Sequence, residues 1–134
     1  ILCSEVLEHL PLPMAALQEA QRVLKPGGHI ILTTPLFWHL HEEPRDYYRY
    51  TKYGLKYLFE TSGLKILYTA ELTGFLATFI QLGCYRFRSG GLIASLSFPL
   101  IWILQRLAYL LNKIDRSRRF SCLTIMVGQK ADAR

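Results

Sequence analysis

Three residues near the start of the chain carry the densest chemistry in it. In the run CSEVLEHL, Glu5, Glu8 and His9 stand at i, i+3 and i+4. If the backbone turns helically after Ser4, the three share one face. Two carboxylates and an imidazole so placed offer mixed oxygen and nitrogen ligands to a divalent metal such as magnesium or manganese. Acidic residues in a first helical turn also favour the helix by facing its positive pole, with no ligand involved.

A second chemistry-bearing segment is the run PLFWHLHEEPRDYYRY at 35–50. It shows no clean period and is rich in proline, histidine and aromatic residues, so it reads as a long loop. His39 or His41 would add a further metal ligand from this loop. His39, His41, Tyr47 and Tyr50 are the candidate walls of a substrate pocket, with Phe37 and Trp38 as apolar lining. Arginine and tyrosine interleave over Pro44–Tyr53, a pattern that can stack nucleobases. Glu42 and Glu43 cancel the positive charge there, which favours a lid that excludes water, with Asp46 pairing Arg45 or Arg49.

These residues need elements to hold them. Residues 1–4 read as the end of a buried strand. Met14 to Lys25 reads as a helix, with Ala16, Leu17, Ala20, Val23 and Leu24 on one face at a 3.6-residue period. Pro26-Gly27-Gly28 stops it. HIILTT at 29–34 is a continuous apolar and β-branched run, expected for a strand covered on both faces. Strand, helix, strand with short links makes a βαβ unit and a parallel pair. The loop at 35–50 then leaves the carboxyl end of the second strand, where open α/β sheets bind ligands. A helix from Thr51 through Ser62 presents Leu55, Leu58 and Phe59, with Thr51 as its cap and Gly63 as its stop. LKILYTA at 64–70 and SCLTIMVGQK at 121–130 are two more strands.

Between those strands lies an apolar insertion at 71–120. It contains two uncharged stretches, Leu72–Tyr85 and Ser89–Gln105, the second interrupted by Pro99. A membrane-spanning helix needs roughly 20 apolar residues, so this stretch is expected to be buried or interfacial. From Leu100 to Ile114 the polar positions Gln105, Arg106, Tyr109, Asn112 and Lys113 form one stripe on an otherwise apolar helix.

The chain has 134 residues, 51% hydrophobic and 19% charged, which excludes a disordered or collagen-like polypeptide. Cys3, Cys84 and Cys122 are scattered with no CxxC. This argues against a disulfide framework or a zinc site and for a reducing, cytoplasmic setting. The net charge of +6 lies wholly in residues 68–134, since residues 1–67 balance seven Lys/Arg with seven Asp/Glu. Arg86, Arg88, Arg106, Lys113, Arg116, Arg118 and Arg119 flank or punctuate the apolar run. The expectation is an anionic partner, either membrane lipid or nucleic acid, with peripheral membrane contact through 71–120 slightly ahead of a helical cap packed on the domain or on a second copy.

CSEVLEHL, an amphipathic helix ending in RVLKPGG, and then HIILTTP resemble the second half of a class I S-adenosylmethionine-dependent methyltransferase. HEEPRDYYRYTKYGLKYLFETSGL resembles the following stretch in the type 11 and type 23 methyltransferase groups. The resemblance covers residues 1–70 well and 121–130 loosely. It implies an α/β fold: a partial Rossmann-like methyltransferase sheet, strands four to seven, with a helical insertion before the last strand. Residues 121–129 would then run antiparallel between the strands at 29–34 and 64–70. Residues 1–134 would be the C-terminal part of one methyltransferase domain, with the N-terminal cofactor-binding half outside this sequence, which contains no GxGxG.

In that frame Cys3, Ser4 and Glu5 match the positions lining the S-adenosylmethionine rim. The ExxEH spacing is similar to that of the ubiquinone-pathway O-methyltransferases and the small-RNA 2′-O-methyltransferases, where the matching residues bind a divalent metal. The implied function is methyl transfer to a small or lipid-linked acceptor. The alternatives are a non-catalytic membrane-associated module, which would lack a glycine-rich cofactor loop altogether, and a metal-assisted O-methyltransferase acting on RNA, which would need a basic face beside the aromatic loop.

Overall fold

A computed structural model describes residues 1–88, 91–115 and 117–132, without the side chains of 86–88 and 91–97. The chain divides into two compact units. The first comprises Ile1–Leu36, Leu40–Glu71 and Leu123–Arg134; the second comprises Phe37–His39 and Leu72–Cys122.

The first unit is built on a four-stranded sheet. Strand β1 (Leu2–Ser4), helix α1 (Pro13–Val23) and strand β2 (His29–Pro35) form the expected βαβ unit, with β1 and β2 parallel. Helix α2 (Lys52–Thr61) leads into β3 (Leu64–Glu71), and β4 (Leu123–Lys130) closes the sheet in the order β1-β2-β4-β3. β4 runs antiparallel to both neighbours, pairing Leu32 with Met126 on one side and Thr69 with Met126 on the other. This is the mixed sheet that the resemblance implied.

Both helices serve one core. Leu17 of α1 and Leu55 and Phe59 of α2 join Leu7, Ile30, Leu32, Tyr50, Leu64 and Met126 in a single buried cluster. Thr51 caps α2 as expected, its hydroxyl accepting the Gly54 N–H at 3.1 Å. At the end of α1 the chain turns through Gly27 at φ 73°, a left-handed conformation that glycine adopts without steric cost.

Two local expectations are corrected. β2 was expected to be covered on both faces, but it buries Ile30, Leu32 and Thr34 and leaves Ile31 exposed, because α1 and α2 contribute to the same core. Val23 was placed on the buried face of its helix and is exposed; Ala16, Ala20 and Leu24 pack at the margin of the core instead. The negative pole of α1 is met by a cation from another element: Lys130 of β4 donates to the carbonyls of Arg22 and Leu24 at 3.0 and 2.9 Å.

The second unit pairs helix α3 (Phe75–Arg88) with helix α4 (Gly91–Ile114). Polar side chains stitch its two ends together. Asp115 accepts N–H groups from Leu76 and Ser117, each at 2.8 Å, and so caps the start of α3 with the end of α4. Asn112 Oδ1 accepts from Gly74 N–H and from Arg118. Thr73, Thr78 and Ser121 share a hydroxyl network, with Cys122 N–H donating to Thr73 at 2.7 Å.

Candidate functional site

The residues singled out in CSEVLEHL lie just past the carboxyl end of β1. Ser4 sits opposite Thr33, their hydroxyls 2.9 Å apart, and the Glu5 N–H donates to the Thr33 carbonyl at 3.0 Å. Glu5 itself has φ 51°, a left-handed conformation uncommon outside glycine and one that tends to gather at functional sites. The chain then makes only a short 3-10 turn over Leu7–His9. The expected helical face shared by Glu5, Glu8 and His9 is therefore corrected. Glu5 lies outside the turn with its side chain exposed, while Glu8 and His9 point to a common centre.

The third member of that centre comes from the loop. Glu8, His9 and His41 each present a ligand atom, and these atoms lie within 4.8 Å of one another. Glu8 is fully buried, and neither of its carboxylate oxygens has a hydrogen-bond partner among the described residues. Burial pushes its carboxyl above the usual range. His9 Nε2 stands 3.8 Å from Glu8 Oε1 and 3.1 Å from His41 Nε2.

The far side of each imidazole is oriented by the loop. His9 Nδ1 lies 2.8 Å from the Arg45 carbonyl, which can only accept, so this nitrogen carries a proton and Nε2 is left facing His41. His41 Nδ1 lies 3.4 Å from Asp46 Oδ2, and the His41 backbone N–H donates to the same oxygen at 3.0 Å. Asp46 is fixed in turn by the Arg49 guanidinium, with contacts of 2.5 and 2.6 Å. Those hydrogen bonds hold its carboxyl well below the ordinary range. Of the two expected partners for Asp46, the structure selects Arg49. The Glu8 carbonyl accepts N–H groups from Tyr47 and Tyr48, which ties the loop back to the turn.

The other predicted residues are placed as follows. Cys3 is half-buried, and burial together with the nearby Glu8 pushes its thiol up. Tyr50 belongs to the core, its hydroxyl donating to the Leu7 carbonyl at 3.3 Å, and burial pushes its phenol up. Tyr47 is exposed beside Tyr48. His39 belongs to the second unit, stacked on Tyr85 with ring centroids 3.7 Å apart. The sequence reading missed the role of the Arg45 carbonyl, since a backbone acceptor leaves no mark on residue type.

Residues 1–69 match the family model described as a methyltransferase domain. The chain belongs to the class I S-adenosylmethionine-dependent methyltransferase family. A ubiquinone biosynthesis O-methyltransferase from Alkalilimnicola ehrlichii is 37% identical over 60 residues, which is 45% of this chain and 22% of that protein. Among solved structures, the 4+2 cyclase SpnF is 18% identical with a TM-score of 0.61, over 98% of this chain and 50% of that one. Phosphoethanolamine N-methyltransferase 2 from Haemonchus contortus, in complex with phosphomonomethylethanolamine and S-adenosylhomocysteine, is 15% identical with a TM-score of 0.56. That match covers 98% of this chain and 33% of that one. These structural likenesses establish the fold, and a fold that also carries a cyclase does not choose a reaction. The chain spans half or less of each of these relatives.

Proposed function

We propose that this chain contributes the acceptor side of an S-adenosylmethionine-dependent methyl transfer to a hydroxyl group, with a divalent cation held by Glu8, His9 and His41. One observation carries the reading. A fully buried carboxylate without a hydrogen-bond partner among the described residues faces two imidazole nitrogens that approach each other at 3.1 Å. A buried unpaired charge is costly, and a cation at that point would satisfy all three groups. The donor set of one carboxylate and two imidazoles suits a first-row divalent metal. The carbonyl behind His9 and the carboxylate behind His41 are the outer partners that orient ligating imidazoles.

When bound, the cation would lower the pKa of a hydroxyl beside it, and S-adenosylmethionine would supply an electrophilic methyl group. The chain's own residues do the positioning. The exposed Glu5 carboxylate and the neighbouring Ser4 stand at the ends of parallel strands, where they fit one rim of the cofactor. Arg45, Asp46 and Arg49 hold the loop and both imidazoles in register. Orientation of the two reactants is the protein's main contribution to such an in-line displacement.

The acceptor in this reading is a small or lipid-linked hydroxyl compound. The O-methyltransferase likeness over 60 residues favours oxygen as the methyl acceptor. For a lipid-linked acceptor, peripheral membrane contact through 71–120 belongs to the same reading. The test is manganese titration of the full-length protein, followed by the loss of the free-ion paramagnetic signal. One ion per chain is expected, with binding removed in Glu8→Ala. Full-length protein that binds S-adenosylmethionine but no cation would overturn the metal, and protein that binds neither would overturn the function.

A further inference from the structure

We propose that the exposed face of α4 docks on an anionic phospholipid bilayer. The inference rests on the lipid-linked reading above for its purpose, and on the geometry of α4 for its support.

The polar stripe expected on this helix borders a broad apolar surface that is buried along one side and exposed along the other. Ile101, Leu104, Ala108 and Leu111 are buried or half-buried, while Leu100, Ile103, Leu107, Leu110 and Ile114 form an exposed row along the other side. Ile114 is 73% exposed and Trp102 56%. Two cations border the exposed row, and each lies over an aromatic ring. Arg106 is 5.2 Å from the centre of Trp102, and Lys113 is 4.6 Å from the centre of Tyr109. Phe98, Trp102, Arg106 and Tyr109 also line a shallow groove of about 440 Å³. From Leu100 to Ile114 the helix is about 21 Å long at 1.5 Å per residue.

Aliphatic side chains flanked by tryptophan, tyrosine and basic residues form the surface of a helix that lies in a bilayer interface. The aliphatic row enters the acyl boundary, the aromatic rings sit at headgroup depth, and the cations meet lipid phosphates. No helix among the described residues is long and apolar enough to cross a membrane. Charge argues against a second copy as the occupant. Leu72–Ile114 contains no Asp or Glu, so a symmetric contact through this face would set Arg106 and Lys113 against their equivalents with no acid to pair them. An anionic surface supplies the missing charge.

The basic cluster after α4 contributes less than its composition implies. Arg118 is half-buried and donates to Asn112 Oδ1 and to the Asn112 carbonyl, while Arg119 is exposed. The side chains of Arg86 and Arg88 are not described, and Arg116 lies outside the described residues.

The experiment is flotation of the full-length protein with vesicles of phosphatidylglycerol and phosphatidylcholine or of phosphatidylcholine alone. Expected are binding to the anionic vesicles, little to the neutral ones, and loss at high salt. Removing a basic residue near such a surface costs about fivefold, the equivalent of about 1 kcal/mol. The double variant Arg106→Ala/Lys113→Ala should therefore weaken binding at least tenfold. Ile103→Ser/Leu110→Ser should weaken it on both vesicle types, with unchanged far-ultraviolet circular dichroism to show that the fold is intact. Absence of binding to anionic vesicles overturns the proposal. So does binding indifferent to these variants, or a stable dimer dissociated by Leu110→Ser. Manganese binding is read separately, so a failed flotation leaves the metal result standing and a failed metal titration leaves the flotation standing.

Discussion

His9 and His41 meet Nε2 to Nε2 at 3.1 Å, and the Nδ1 atom of each faces an oxygen acceptor on the loop between His41 and Asp46. That arrangement turns both Nε2 atoms toward one point, beside the buried carboxylate of Glu8. It predicts opposite effects of one substitution. Glu8→Gln keeps the side chain's size and removes its charge. Without metal, the melting midpoint should rise, because a buried charge without a hydrogen-bond partner is lost. Manganese affinity should fall at least tenfold. Scanning calorimetry with and without the ion reads both effects; a lower midpoint without metal would show that the ionised carboxylate is a structural asset.

Asp46 acts on the centre through His41, and it is itself held by Arg49. Outer partners of ligating imidazoles are typically worth 10–100-fold in metal affinity. Asp46→Asn should fall in that range while still accepting the His41 backbone N–H. Arg49→Lys should have a smaller effect of the same sign, since lysine cannot reproduce the two-pronged contact. Manganese titration of both variants gives the order.

Across β2 and β4, Thr34 pairs with Thr124, and the hydroxyl of each is buried without a hydrogen-bond partner among the described residues. Leaving a buried hydroxyl unpaired costs about 1–3 kcal/mol, and an apolar group of the same shape avoids that cost. Thr124→Val should stabilise the protein, by about 1 kcal/mol. Urea denaturation with an unchanged slope is the measurement, and a loss of stability would mean that the hydroxyl has a partner in solution.

The framework was legible because its signals are local. The apolar period of α1, the Thr51 cap, the Pro26-Gly27-Gly28 stop and the β-branched strands each announce themselves within a few residues. The antiparallel placement of β4, fifty residues after β3, came from the family resemblance, since no local pattern encodes it. The cation-site candidates were legible by type but not by geometry. Glu5 breaks the helical turn through its own backbone conformation, which removes it from the ligand atoms gathered by Glu8, His9 and His41. His41 was named beside His39, and only the tertiary fold separates one from the other. Lys130, which caps α1 from more than a hundred residues away, was invisible for the same reason.

Asp115 makes the stability of the second unit depend on pH. Its carboxylate accepts the N–H groups of Leu76 and Ser117, and these hydrogen bonds hold its pKa below the ordinary value. A carboxyl depressed in the folded state contributes stability that is fully present above its unfolded value, about 3.9. That contribution is lost as the pH falls from there through the folded value. Asp115→Asn should lower the melting midpoint at pH 7 and lose this part of the acid dependence. Thermal melts of both proteins between pH 7 and pH 3 should therefore converge at the acid end.

Phe59 of α2 packs directly on the backbone of β4 at Gly128. A Cβ built on Gly128 would stand 2.7 Å from Phe59 Cε1 and 2.8 Å from Cδ1. Phe59 is fully buried, so its ring has no open space to retreat into. Gly128 also pairs with Ile30 on one side and Ile66 on the other, which prevents the strand from shifting away. Gly128→Ala should therefore destabilise the protein by about 1–3 kcal/mol, the usual cost of overpacking a core, despite alanine's lower chain entropy. Phe59→Ala leaves a cavity and should cost about 3–5 kcal/mol on its own. Phe59→Leu removes the two clashing ring atoms while keeping an apolar side chain, so Gly128→Ala should be less damaging in that background. A double-mutant cycle by urea denaturation measures the difference, and additive effects would show that Gly128 and Phe59 do not share this space.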